Sequence, residues 1–310
     1  MRVFVAGGTG AIGRPLVARL LEHGHHVTVL TRSEQRAEKI RAGGSEAVVG
    51  DVLATGSLVG LLGASHPDIV VNQLTSLART AARRDLHRGL ADTARLRTEA
   101  SASIMAAAAG AGVRRVVAQS IAFVYRPGPG TRTEDDPLYL DGPAQITQVA
   151  GPVTRLESET LGSDTVDGVV LRYGAFYGPG TYYAPAGAFA ELARARRLPV
   201  VGHGRGIFGF VHVEDAAAAT VAALTGPPGV YNVVDDRPAP TSEWVPHLAR
   251  LLGAKRPRNM PARLFSLLAG RYSVYLFDEQ PAVSNARATA ALGWRPQFPD
   301  WHDGFASVFS

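Results

Sequence analysis

The stretch Arg2-Val3-Phe4-Val5-Ala6-Gly7-Gly8-Thr9-Gly10-Ala11-Ile12-Gly13 decides how the rest of the chain is read. Its apolar start predicts a strand, and the amphipathic run from Arg14 to His23 predicts a helix. Glycines at 7, 10 and 13 stand between the two. Gly7 permits a tight turn, Gly10 lets backbone approach a pyrophosphate, and Gly13 allows close helix–strand packing. The helix N-terminus then offers free N–H groups and a positive dipole to phosphate. The spacing is G-x-x-G-x-x-G, and a strand before and a helix after supply the context for a dinucleotide site. Thr9, Ala11 and Ile12 complete the turn and are expected beside the cofactor.

The bulk properties narrow the class. A chain of 310 residues can bury a substantial core, and 46% hydrophobic with 19% charged residues is a globular composition. A formal net charge of +5 suits an anionic cofactor without pointing to nucleic acid. There is no cysteine, hence no disulfide framework, thiolate zinc site or cysteine nucleophile, and no metal site is expected. No apolar run reaches membrane-spanning length, and the first strand at residue 2 leaves no room for a signal peptide, so a cytoplasmic protein is expected. The expected partner is a small-molecule substrate, and the chain is expected to be a monomer or homodimer.

Outward from the opening, strand-like and helix-like segments alternate. His26–Thr31, Glu46–Val49, Asp68–Asn72, Arg114–Gln119 and Gly168–Leu171 read as strands, and a long helical region covers Ala78 to Ala109. This alternation predicts parallel βαβ units with right-handed crossovers. The expected fold is α/β, a Rossmann-type doubly wound parallel sheet with a smaller, mostly helical C-terminal substrate lobe. The sheet domain takes 1–175, with 205–235 returning to it, and the lobe takes 176–204 and 236–310.

Ligands in such sheets lie beyond the carboxyl ends of the strands, so those positions carry the information. After the second strand, where an acid would bind the ribose 2′-hydroxyl of NAD, stands Thr31-Arg32-Ser33. Arg32 offers a fork of donors for a 2′-phosphate and Ser33 can assist, which predicts NADPH/NADP+. Asp51 and Val52 follow the third strand and are placed to meet the adenine, with an ordinary turn aspartate as the alternative. Asn72-Gln73-Leu74-Thr75 follows the fourth, and Gln73 and Leu74 are expected on the ribose and nicotinamide side. Arg79, Arg83, Arg84, Arg88, Arg95 and Arg97 make the next segment basic: a solvated helical face, or in part a flank of the cleft that holds an acidic substrate. The loop 127–137 carries Glu134, Asp135 and Asp136, expected as capping and turn acids, with acids facing the substrate as the alternative.

From the fifth strand onward the chain resembles the extended and atypical short-chain dehydrogenase/reductases, the NAD-dependent epimerase/dehydratase-like group, in wording common to an actinobacterial branch. The resemblance rests on Gly7 to Gly13, Asp51-Val52, Ser120-Ile121-Ala122-Phe123-Val124-Tyr125, Leu171 to Gly180, Phe210-Val211-His212-Val213-Glu214-Asp215, Tyr231-Asn232-Val233 and Leu292-Gly293-Trp294-Arg295-Pro296. It spans essentially the full length. It implies that Ser120 and Tyr173 flank the cofactor, and that Phe123, Tyr125, Phe176 and Tyr177 line the cleft.

The departures are specific. The family's serine or threonine four residues before the Val-Tyr tyrosine is Ile121 here. Aligned on Leu156-Glu157, the positions of the family's Tyr-x-x-x-Lys hold Val149 and Val153. Where nucleotide-sugar enzymes grip phosphate with arginine, this chain has Phe208, which suits a planar apolar ligand. General acid help is typically worth about 10²–10⁴-fold, and its usual source is absent. The replacement donors are Ser120, Tyr125, Tyr177 and His212, unless the substrate supplies its own proton, as a phenol peri to a quinone-like carbonyl would. The expected function is an NADPH-dependent ketoreductase acting on an aromatic or polyketide-like small molecule of secondary metabolism or antibiotic biosynthesis. The alternatives are a non-catalytic NADP(H)-binding regulator and a sugar-nucleotide epimerase or dehydratase.

Overall fold

The strand–helix alternation closes into one parallel sheet. The computed structural model describes residues 1–54, 57–76 and 83–309. Strands β1 (Arg2–Ala6), β2 (His26–Thr31), β3 (Glu46–Val49), β4 (Ile69–Asn72), β5 (Arg115–Ile121) and β6 (Asp167–Tyr173) come first. Short strands β7 (Ala175–Tyr177), β8 (Val200–Val201), β9 (Ile207–Phe208) and β10 (Phe210–His212) follow, before β11 (Gly229–Val233) returns to the sheet. The order is β11-β6-β5-β4-β1-β2-β3. Its direction reverses between β1 and β4, which leaves a crevice at their carboxyl ends.

The two-residue side-chain period of the strands builds a core on each face. Val3, Val5, Val27, Val29, Val117 and Leu171 meet Leu16 and Leu20 of α1 (Gly13–Glu22) on one face. On the other, Phe4, Ala6, Val70 and Val116 meet Leu62, Ile104 and Ala108. These come from α3 (Ser57–Ser65), which follows α2 (Glu34–Ala42), and from α5 (Ser101–Gly110). Helix α4 (Arg83–Arg95) runs into α5 through a π-helical turn, Leu96–Ala100. Then come α6 (Ala144–Leu161), α7 (Ala188–Arg194), α8 (Val213–Ala222) and α9 (Thr241–Leu251).

Strands β5 and β6 run two residues past their expected ends. They pair in register through Ser120–Arg172 and Ile121–Tyr173, so the ladder itself carries them onward. Arg172 and Tyr173 are therefore strand residues rather than the start of a loop. Beyond β6 a second core gathers aromatic rings, among them Tyr177, Tyr183, Phe208, Phe210, Trp244, Trp301 and Phe305. Among the described residues no helix is long and apolar enough to cross a membrane.

Candidate functional site

The glycine turn sits at the carboxyl end of β1, and its three glycines do different work. Gly7 has φ +93°, and a side chain there would meet the carbonyl oxygen of Gln73 at 2.5 Å. A side chain at Gly13 would collide with the Gly7 carbonyl, so this glycine lets α1 start against the turn. At Gly10, an exposed position, the nearest atom to an added Cβ is the Gly7 oxygen at 3.4 Å. That space is open for a ligand, and a side chain would occupy it. The Gly10 N–H donates to Gly7 O, and Arg14 N–H donates to Gly10 O. Among the described residues no backbone acceptor faces the N–H of Ala11 or Ile12. The Thr9 carbonyl accepts from Arg14 Nε at 3.2 Å. The loop after β7 folds over this turn, since a Cβ at Gly180 would lie 3.9 Å from that of Ala11. An open cradle with unused N–H groups at a helix start fits a pyrophosphate.

Around this cradle the strand ends bring the next residues together. Arg32, just past β2, is exposed and makes no ion pair among the described residues. Ser33 precedes α2, and its hydroxyl makes no cap. Asp51 follows β3 and accepts from Leu53 N–H at 3.0 Å, so it shapes its own turn; Val52 is buried. The Gln73–Leu74 backbone lies against Gly7 of the turn. The Gln73 amide donates to Tyr173 Oη and to Thr220 Oγ1, so its side chain points into the interior, and half-buried Leu74 packs against the core. Tyr173 is likewise a core residue, fully buried, with its hydroxyl 2.7 Å from Thr220 of α8.

Two of the proton-donor candidates, Ser120 and Tyr125, belong to an interior network instead of a reactive surface. Ser120 Oγ donates to Glu157 Oε1 at 2.7 Å. Arg172 grips the same carboxylate with two nitrogens, at 2.8 and 2.6 Å, and donates to Tyr125 Oη at 2.7 Å. Tyr125 in turn donates to Asn232 Oδ1, and Asn232 N–H donates to Glu134 Oε1. The capping expectation for Glu134 is thus replaced by a buried tie to β11. Asp136 does keep a turn, holding Thr133, and Asp135 pairs with Arg287. Burial pushes the Tyr125 phenol up to about 12. Ser120 and Tyr125 are wholly enclosed, so neither hydroxyl meets a substrate in this arrangement.

Tyr177 and His212 belong to the second core. Tyr177 packs edge-on against Phe210, His212 and Phe305, and its hydroxyl has no partner. His212 caps α8, its Nδ1 accepting from Glu214 N–H, and burial lowers its pKa, which keeps the acceptor unprotonated. Phe208 is a correction as well. It is 5% exposed, stacked on Phe210 and edged by Trp244 and Phe277, so it fills a core instead of facing a ligand. Phe123 and Phe176 remain half-buried, Phe176 against Tyr173 and Phe123 in a shallow depression with Gly174, Gly209 and Gln280.

On α6, Val149 and Val153 lie in an apolar cluster with Ile121, Val124 and Ala150, lidded by Phe123 and Tyr272. Where the resemblance expects a phenol and an ammonium, the wall is hydrocarbon. Two interior groups lie outside the sequence reading, and a third, Arg97, is singled out by the fold from the basic segment. The Glu157–Arg172 pair joins elements that only the fold brings together. Asp235 is 5% exposed, and burial raises its pKa to about 9 although the Arg237 backbone N–H is turned toward its carboxylate. Arg97 is 7% exposed while its neighbour Arg95 pairs with Glu99 on the surface. Arg79 lies outside the described residues, as do the side chains of Arg83 and Arg84.

The sequence matches the NAD dependent epimerase/dehydratase family over residues 3–233. It is 43% identical over 310 residues to a 3-diazoavenalumate denitrifying reductase from Streptomyces sp., covering 98% of this chain and 99% of that protein. A 4-hydroxy-2-methyl-3-oxo-4-farnesyl-3,4-dihydroquinoline-1-oxide ketoreductase of Stigmatella aurantiaca is 27% identical over 322 residues, covering 95% and 92%. In fold, the chain is similar to human epimerase family protein SDR39U1, solved with NADPH, with a TM-score of 0.76 at 23% identity over 100% of this chain and 99% of that one.

Proposed function

Because the chain belongs to the NAD-dependent epimerase/dehydratase family, we propose that it is an NADP(H)-dependent reductase of an aromatic small molecule whose hydride acceptor needs no proton from the protein. One observation carries this reading: valines 149 and 153 occupy the acid–base positions, inside an apolar cluster. A family enzyme that must protonate an alkoxide would not keep hydrocarbon there.

When bound, the reduced nicotinamide supplies a hydride. The chain's own contribution is placement. The Gly7–Gly13 turn and the start of α1 hold the pyrophosphate, while Arg32 and Ser33 favour a 2′-phosphate. The buried cluster of Ile121, Val149 and Val153 keeps water and proton donors out of this wall, and the half-buried Phe123 that covers it is the surface offered to a planar ring. The aromatic second core, with residues 176–204 and 236–310, closes the cleft as the substrate lobe.

The acceptor that fits best is an arenediazonium, the class named in the 43% identical relative. Hydride adds to its terminal nitrogen to give an aryldiazene. Loss of dinitrogen then leaves the hydrogen on the ring carbon. Arenediazonium plus hydride gives arene plus dinitrogen, with two electrons accepted and no net proton. A second reading, a carbonyl already hydrogen-bonded to a neighbouring phenol, is favoured by the relative that is named a ketoreductase. There the substrate supplies the proton.

The test is to incubate the purified chain and NADPH with a 2-hydroxyarenediazonium carboxylate, a peri-hydroxyquinone and UDP-glucose in turn. The proposal predicts NADPH oxidation matched by dinitrogen release with the first. Oxidation with the quinone alone selects the second reading. Tight NADPH binding with no oxidation by any of them, or epimerisation of UDP-glucose, overturns both.

A further inference from the structure

Arg97 is an interior cation with no counter-ion among the described residues. Its side chain makes no hydrogen bond or ion pair among the described residues, although the residue is 7% exposed. Burial lowers its pKa only to about 10, so it keeps its charge at neutral pH. A buried unpaired guanidinium works against folding unless something later completes it.

Its position says what could. Thr93, Arg97 and Ser101 succeed one another at four-residue intervals, and all three are buried. Thr93 Oγ1 accepts from Ser76 N–H at 3.0 Å, and Asn72 Nδ2 donates to Ser101 Oγ at 3.4 Å. Arg97 therefore lies between two ties to the segment leaving β4, at the carboxyl edge where the cleft opens. The π-helical turn 96–100 carries it and packs on α6, the helix of Val149 and Val153. Such turns recur at functional sites. The groups whose charge favours its own are Tyr272, which covers the valine cluster, and Glu157. Glu157 is already held by Arg172 and Ser120, so it leaves Arg97 uncompensated.

We infer that Arg97 is the anchor for an anionic oxygen of the substrate, a carboxylate or phenolate on the aromatic acceptor, held beside the apolar wall of α6. The identity of that substrate as a hydride acceptor rests on the reductase reading above, but the anion requirement does not. A planar guanidinium in a largely dry site suits two oxygens of a carboxylate, and the partly buried Phe123 and Tyr272 that cover the apolar cluster suit the ring. An aromatic anion supplies both partners at once.

The probe is 4-hydroxycinnamate, compared with its methyl ester, titrated calorimetrically into the NADP+-loaded protein. The wild type is expected to bind the carboxylate at least about tenfold more tightly than the ester. R97Q is expected to abolish that preference and R97K to restore part of it, with NADP+ affinity equal in all three. R97M, which removes an unpaired charge, is expected to melt no lower than the wild type. A wild type indifferent to the ester, a preference that survives R97Q, or NADP+ affinity that falls with it overturns the inference. A structural guanidinium would instead show a lowered R97M midpoint. If the carboxylate preference appears while no acceptor is ever reduced, the reductase reading fails and the anion site stands.

Discussion

Glu157 and Arg172 face each other in a dry interior, with side chains 8% and 6% exposed. Removing one charge strands the other, which typically costs about 3–5 kcal/mol. Glu157→Leu should lose stability on that scale in urea denaturation, and a loss below about 1 kcal/mol would show the network to be dispensable. Arg32 acts at the opposite extreme, on the surface. Arg32→Ala should weaken NADPH by about tenfold or more while leaving NADH nearly unchanged, and equal losses would remove Arg32 from the 2′-phosphate. The contrast explains what the sequence could reveal. Arg32 is legible because it stands at a fixed remove from the glycines along one strand–helix–strand unit. The Glu157–Arg172 pairing depends on α6 lying across β5 and β6, and no local pattern announces it. The sequence offers Arg97 only as one of six arginines on a solvated face or a cleft flank, because a helix in isolation does not declare which side is covered.

At the level of elements, the glycine turn makes two opposite predictions from similar substitutions. Gly10→Ala meets nothing closer than the Gly7 carbonyl oxygen at 3.4 Å, so the fold should keep its stability within about 0.5 kcal/mol while dinucleotide affinity falls sharply. Gly13→Ala drives a Cβ into the Gly7 carbonyl and should destabilise the fold itself, visible as a lowered melting temperature without any ligand. A Gly10→Ala variant that binds NADPH normally would place the pyrophosphate elsewhere. Strand and helix positions were largely legible because period-two and period-3.6 patterns are local. The misses sit at strand ends. Ser120, Ile121, Arg172 and Tyr173 belong to β5 and β6 because each strand extends the other. That shift turned expected cleft residues into core. The same holds for Phe208, whose three aromatic neighbours come from β10, α9 and the segment near residue 277.

For the molecule as a whole, one buried acid should dominate the alkaline limb of stability. Asp235 has a folded pKa of about 9, against roughly 3.9 unfolded, so the native state holds its proton more tightly. Its contribution is complete below about pH 4 and is lost as pH rises toward 9, by up to about 1.4 kcal/mol per unit. Asp235→Asn should flatten that decline, so that the gain over wild type grows between about pH 5 and pH 8 in denaturant titrations. Parallel curves for the two proteins would show that Asp235 finds a partner in solution.

The same whole-molecule view sets the functional claim. The glycine turn leaves an open space at the start of α1, valines 149 and 153 stand in an apolar cluster, and the hydroxyls of Ser120, Tyr125 and Tyr177 are buried. Hydride transfer should therefore proceed without proton transfer from the protein. The most direct measurement is a single turnover with a 2-hydroxyarenediazonium carboxylate, comparing NADPH with its 4-deuterated form and water with heavy water. The account predicts a primary isotope effect from the labelled cofactor and none from the solvent. A solvent isotope effect of similar size, or the absence of any NADPH oxidation, would contradict it.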